Sequence, residues 1–207
     1  MRMTNPFVRT VFGDLFCDPA VAQTLSAPAF TTQMLRVEVA WTHALRDLGL
    51  VEADDAQAAL DAMAAFDGDN LRQNSQTDGV PAPGLVRALR KGLPDRAAMA
   101  IHTGATSQDI VDTAMALSLQ EVGNILRARL EQAAVAIADL DQRFGGADMM
   151  ARTRMQAALP AQAGLRLSAW KCAVAGQIAR ADAAFAEISR VQVGGAIGQR
   201  DAWHGQG

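Results

Sequence analysis

With 207 residues, 50% of them hydrophobic, the chain can bury a sizeable core as one large domain or two small ones, which argues against disorder. Lys and Arg number 19 against 22 Asp and Glu, a net charge of -3, and the basic residues are scattered, so nucleic acid is a poor partner. No apolar run approaches the roughly 20 residues of a membrane span, and Met1 to Phe7 lacks a signal-peptide core, so a soluble cytoplasmic protein that does not engage a membrane is expected.

Residues 1–30 carry Asn5-Pro6, Asp18-Pro19 and Ala27-Pro28. Each proline disfavours helix at the residue before it, so an irregular arm with short helical turns is expected. From about Gln33, Met34, Val37, Trp41, Ala44 and Leu48 recur at three- and four-residue steps, predicting a helix closed by Gly49. Arg36 and His43 fall off that stripe and read as solvated rather than ligating residues. Asp54 and Gln57 have capping spacing, and Leu60, Met63 and Phe66 extend a short helix to near Gly68. Leu71 to Thr77 predicts another, interrupted at Asp78-Gly79. Pro81-Ala82-Pro83 reads as a loop, and Leu85, Val86 and Leu89 as a helix stopped by Gly92 and Pro94. No segment alternates with period two, so the first hundred residues read as short helices without a sheet.

Beyond Ser107, Met115, Leu119, Val122, Leu126, Leu130, Ala133, Ile137 and Leu140 keep helical spacing to Gly145-Gly146, about 35 residues or roughly 50 Å. A second long helix is expected from Pro160, a favoured first-turn position, to about Arg190 through Leu167, Trp170, Val174, Ile178, Ala181, Phe185 and Ile188. The predicted fold is therefore all-α: a short-helix N-terminal domain over 1–105, then over 106–207 the first two long helices of a bundle, antiparallel across the Gly145 to Leu159 connection. Two long helices make only part of a bundle, so their apolar stripes need a face from outside this sequence. Val193 to Gly198 reads as a turn and Trp203 to Gly207 closes on no element, so the chain is expected to be truncated. Cys17 and Cys172 fit neither a metal spacing nor a disulfide framework; both read as buried apolar fillers, which suits a reducing compartment.

Chemistry concentrates in two stretches. Ile101 to Thr113, I-H-T-G-A-T-S-Q-D-I-V-D-T, runs from a glycine-containing turn into the long helix, and Thr106 with Asp109 has capping-box spacing. The helix N-terminus would set unpaired N–H groups and the positive end of the macrodipole beside Thr106, Ser107 and His102, which suits a carboxylate. The same residues also cap long helices that bind nothing. Ala151 to Pro160, A-R-T-R-M-Q-A-A-L-P, sets Arg152, Thr153, Arg154 and Gln156 together, two guanidinium forks with two neutral hydrogen-bonding groups; a loop whose arginines face water is the alternative.

The string H-T-G-A-T-S-Q-D-I-V-D-T resembles the first signature region of the fumarase/aspartase superfamily, and its G-A-T-S-Q-D form is most similar to the 3-carboxy-cis,cis-muconate cycloisomerase branch. The second stretch resembles the region commonly written G-R-T-H-x-Q-x-A-x-P, matched by Arg152, Thr153, Gln156, Ala158 and Pro160. Ala151 replaces the glycine, and Arg154 stands where many of the lyases carry histidine. The cycloisomerase branch is the one that does not retain that histidine, so the resemblance favours it over fumarase, argininosuccinate lyase and adenylosuccinate lyase. Met34 to Trp41 and Gly194 to Gly198 are similar to further landmarks, so the resemblance covers essentially the whole chain in order.

This resemblance implies an all-helical homotetramer whose active sites draw on three subunits, needing no metal or organic cofactor. It implies cycloisomerisation of 3-carboxy-cis,cis-muconate, a polycarboxylate of aromatic catabolism, to a carboxy-muconolactone. Thr106 and Ser107 would anchor a carboxylate, Arg152 and Arg154 hold developing negative charge, Gln108, Thr153 and Gln156 fix orientation, and His102 orient substrate or shuttle a proton. Asp109 and Asp112 would serve the helix start. The family's G-S-S-x-M-P-x-K-x-N-P loop, with its acid/base serine, does not occur in these residues. A fumarate-releasing lyase of adenylosuccinate lyase type and a non-catalytic helical assembly module are the alternatives.

Overall fold

A computed structural model describes residues 13–67 and 71–198. The expectations for Asn5-Pro6, Gly68 and Trp203 to Gly207 lie outside them. The chain divides into two compact units: one holds the residues to Leu119 and those from Ser189, the other is Gln120–Ile188.

The first unit is helical, built from α1 (Gly13–Phe16), α2 (Pro19–Thr24), α3 (Ala27–Asp47), α4 (Ala53–Ala64), α5 (Leu71–Asp78), α6 (Ala82–Arg90), α7 (Asp95–Met99) and the start of α8 (Ser107–Phe144). The prolines act as helix starters rather than breakers. Asp18 caps α2 by accepting from the N–H groups of Ala20 and Val21 at 3.1 and 3.2 Å, with Pro19 as first residue. Ser26 caps α3 over Pro28, so this helix begins at Ala27 rather than near Gln33. In a first turn proline lacks only an N–H that has no helical partner. Pro83 likewise sits in the first turn of α6, where a loop was expected. Asp54 lies inside α4, whose cap position is Glu52.

The buried stripe of α3 differs from the predicted one. Thr31, Met34, Glu38, Thr42 and Leu45 face inward, while Ala44 is exposed and Leu48 is 43% exposed. Glu38 and Thr42 enter the interior where the turn after α7 supplies a partner to one Glu38 oxygen and to the Thr42 hydroxyl, which offsets part of the cost of burying them. His43 is half-buried rather than solvated, and its Nδ1 is shielded from water. Met34, Met63, Leu85, Leu89, Ile101 and Ile110 form the centre of a core spanning α3, α4, α6 and the turn into α8.

The second unit holds the remainder of α8, a hairpin of β1 (Asp148–Thr153) and β2 (Gln156–Gln162), and α9 (Ala163–Ile188). The hairpin corrects the predicted irregular connection and moves the second long helix from Pro160 to Ala163. Pro160 instead lies in β2 opposite Met150, where a two-stranded sheet tolerates a residue without an N–H. α8 and α9 meet where the Phe185 ring lies against Gly123, and Arg127 pairs with Asp182 at 3.2 Å. Leu167 and the half-buried Val174, Ile178, Ala181, Phe185 and Ile188 line the predicted stripe, but Trp170 is 50% exposed. Leu126, Val135, Leu140 and Leu165 are also exposed. Cys17 is half-buried and Cys172 exposed, so neither is a buried filler. No helix among the described residues is long and apolar enough to cross a membrane.

Candidate active site

Two clusters contain the residues singled out by sequence, one in each unit. In the first unit the turn between α7 and α8 is held from several sides. The hydroxyl of Thr42 donates to the Ala100 carbonyl at 2.9 Å, Arg90 Nη2 to that of Ile101 at 2.6 Å, and Trp41 Nε1 to that of Thr103 at 3.0 Å. His102 sits in this turn with φ 61°, a left-handed conformation that costs a side-chain-bearing residue about 1–2 kcal/mol. Its Nδ1 lies 2.6 Å from Oε1 of Glu38, a residue with no exposed surface. Sequence analysis did not select Glu38, although it lies within the Met34 to Trp41 stretch that resembles a family landmark.

Ser107 is the first residue of α8, so its N–H and that of Gln108 have no partner within the helix. Thr106 and Ser107 are half-buried, whereas Gln108 is exposed and donates to Asp112 at 2.6 Å. Asp109 realises half of the expected capping box: Oδ2 accepts from the Thr106 N–H at 3.0 Å. It also accepts from Gly194 and Gly195, at 2.8 Å on Oδ1 and 3.0 Å on Oδ2. Gln192 N–H donates to the Thr113 hydroxyl at 3.0 Å beside it. The Gly-Gly segment therefore closes onto the helix start carrying His102, Thr106 and Ser107.

In the second unit Arg152, Thr153, Arg154 and Gln156 crowd one end of the hairpin, all exposed. Thr153 pairs with Gln156 across the turn, so those two share a face, while Arg152 pairs with Ala157 on the other. Arg154 and Met155 form the two-residue turn with φ 45° and 68°, positions that tight hairpins usually give to Asn or Gly. Holding Arg154 there carries a backbone cost of a kind concentrated at functional sites. Arg152 and Arg166 also border a hollow of about 260 Å³ with Met149, Met150 and Leu165, which adds a guanidinium that sequence analysis did not select. Both clusters suit carboxylates: one offers helix N–H groups and hydroxyls, the other planar cations.

The family model described as lyase matches residues 21–203. The 3-carboxy-cis,cis-muconate cycloisomerase of Acinetobacter baylyi is 30% identical over 204 residues, 95% of this chain and 45% of that protein. Adenylosuccinate lyase of Archaeoglobus fulgidus is 28% identical over 185 residues, 89% and 41% of the two chains. The crystal structure of β-carboxy-cis,cis-muconate cycloisomerase from Acinetobacter calcoaceticus matches with a TM-score of 0.85 at 29% identity, covering 95% of this chain and 47% of that one. The chain thus spans less than half the length of these relatives. With the family model matching residues 21–203 and these relatives aligned over up to 95% of its length, the chain belongs to the lyase family, the fumarase/aspartase superfamily.

Proposed function

We propose that the chain forms the substrate-gripping portion of an enzyme that cycloisomerises 3-carboxy-cis,cis-muconate to a carboxy-muconolactone. The observation that carries this reading is an exposed arginine, Arg154, held at the hairpin apex between Thr153 and Gln156. A permanent cation there stabilises charge but does not exchange a proton, which suits lactone closure with the proton supplied elsewhere.

In this reaction one substrate carboxylate adds across a double bond, and the resulting enolate-like carbanion accepts a proton at carbon. Atoms are conserved, so the site must anchor carboxylates, hold the extra negative charge and deliver that proton. Thr106, Ser107 and the first N–H groups of α8 anchor a carboxylate. Arg152 and Arg154 hold the developing charge, and Thr153 and Gln156 fix the ligand beside them. Gln108 contributes once its bond to Asp112 is exchanged. His102 contacts the substrate at the turn. Different copies of the chain in a homotetramer supply the two clusters, which also covers the exposed apolar side chains of α8 and α9.

The test sets the 207-residue chain beside a version extended to the length of its relatives. The extended protein forms the lactone and the short chain does not, as ultraviolet loss of the diene reports. Lactone formation by the short chain refutes the claim that the proton donor lies outside it. Release of fumarate from adenylosuccinate by the extended protein, without lactone formation, replaces this substrate with that of the lyase relatives.

A further inference from the structure

The Glu38 carboxylate is wholly buried in α3, 64 positions from the histidine it meets. Oε1 engages His102 Nδ1 at 2.6 Å, and Oε2 is buried with no hydrogen-bond partner among the described residues. Burying a carboxylate is costly unless it is well paired, and His102 is the partner that offsets that cost here. Packing does not require the arrangement, since Thr42, Arg90 and Trp41 already hold the carbonyls of this turn without using the imidazole. His102 nevertheless adopts a left-handed backbone, and its side chain stays 15% exposed. A buried carboxylate on one ring nitrogen of a partly exposed histidine sets which nitrogen carries the proton and how the ring is aimed.

We propose that Glu38 is a positioning residue: it accepts the Nδ1 proton of His102 and thereby leaves Nε2 as the nitrogen that meets the ligand. The inference rests on the reading that His102 touches substrate, and it deepens that reading by assigning the reacting face of the ring. In the neutral imidazole Nε2 then carries a lone pair, so it accepts a hydrogen bond or a proton; in the cation it donates to a carboxylate. Glu38 stays fixed behind it in both states.

The experiment uses the protein at the length of its relatives, with ¹⁵N-labelled histidine and His102 assigned by comparison with His102→Asn. At the alkaline end of the titration, where the ring is neutral, the wild-type spectrum shows protonated Nδ1 and unprotonated Nε2. Glu38→Gln, whose amide can also donate to the ring, mixes the tautomers. It lowers kcat about 10- to 100-fold with KM changed less than about threefold, by analogy with the loss seen when a metal-bound histidine is deprived of its orienting partner. Protonation of Nε2 in the wild type overturns the proposal, and this measurement needs no variant to fold. An unchanged tautomer in Glu38→Gln with equal losses of activity and thermal stability also overturns it, because a packing role alone predicts that result. If the wild type turns over neither the muconate nor adenylosuccinate, the functional reading fails while the ring spectrum still decides the role of Glu38.

Discussion

Replacing Asp109 by Asn tests the helix start directly. The wild-type carboxylate is 2% exposed and accepts three backbone N–H groups, from Gly194 on Oδ1 and from Thr106 and Gly195 on Oδ2. An amide has one acceptor oxygen. Its better orientation places that oxygen toward Thr106 and Gly195 and turns the NH₂ group toward Gly194, so one donor meets another donor in the interior. A hydrogen bond to a charged acceptor is worth about 1.5–3 kcal/mol, and leaving a buried donor unsatisfied costs about as much. Removing the negative charge from the first turn of α8 costs roughly a further 0.3–1 kcal/mol. The expected destabilisation is therefore about 3 kcal/mol, or roughly 6–12 °C in Tm for a chain of this size. Urea unfolding measures the energy, and hydrogen exchange at Gly194 and Gly195 locates it, since those amides lose protection before the rest of the unit. A variant within about 0.5 kcal/mol of wild type, with both amides equally protected, would show that the three bonds do not hold the Gly-Gly segment.

Four further outcomes follow from particular contacts. Gly123→Ala introduces a Cβ 2.7 Å from the Phe185 ring, so it destabilises by about 1 kcal/mol net, overriding its gain in helix propensity. Gly176→Ala, whose new Cβ meets only Arg180 at 4.0 Å, stabilises by a similar amount; urea midpoints of opposite sign check the pair. Arg154→Gly relieves the left-handed apex and leaves stability within about 1 kcal/mol of wild type, while kcat/KM of the extended enzyme falls about 100-fold, as steady-state kinetics and a thermal melt together report. Leu85→Ala, at a wholly buried site, costs about 2–5 kcal/mol by denaturant titration.

The two long helices show how far periodicity carries. Apolar spacing and a capping signal placed the start of α8 at Ser107 and its end beside Gly145, because helix formation depends on neighbours three and four residues apart. The hairpin between the helices escaped that logic. Its turn is Arg154-Met155, its strand residues are mostly exposed, and Pro160 resembles a helix starter, so no local pattern distinguishes it from a loop. The rotation of the buried face of α3 was hidden for another reason. Glu38 and Thr42 become interior residues only through His102 and the Ala100 carbonyl, about sixty positions away.

By itself the amino-acid sequence determined the helical class, the strong α8 start and the order of motifs that mark the family. Each is written in residue types at short spacing, where local propensity and capping decide the outcome. Only the tertiary structure decided that Glu38 meets His102, that Gly194 and Gly195 close onto Asp109, and that Arg154 stands at a hairpin apex. The first two are hydrogen bonds between groups far apart along the chain, whose worth depends on burial created by packing. The third is a backbone conformation unfavourable for arginine on local grounds, which the paired strands impose.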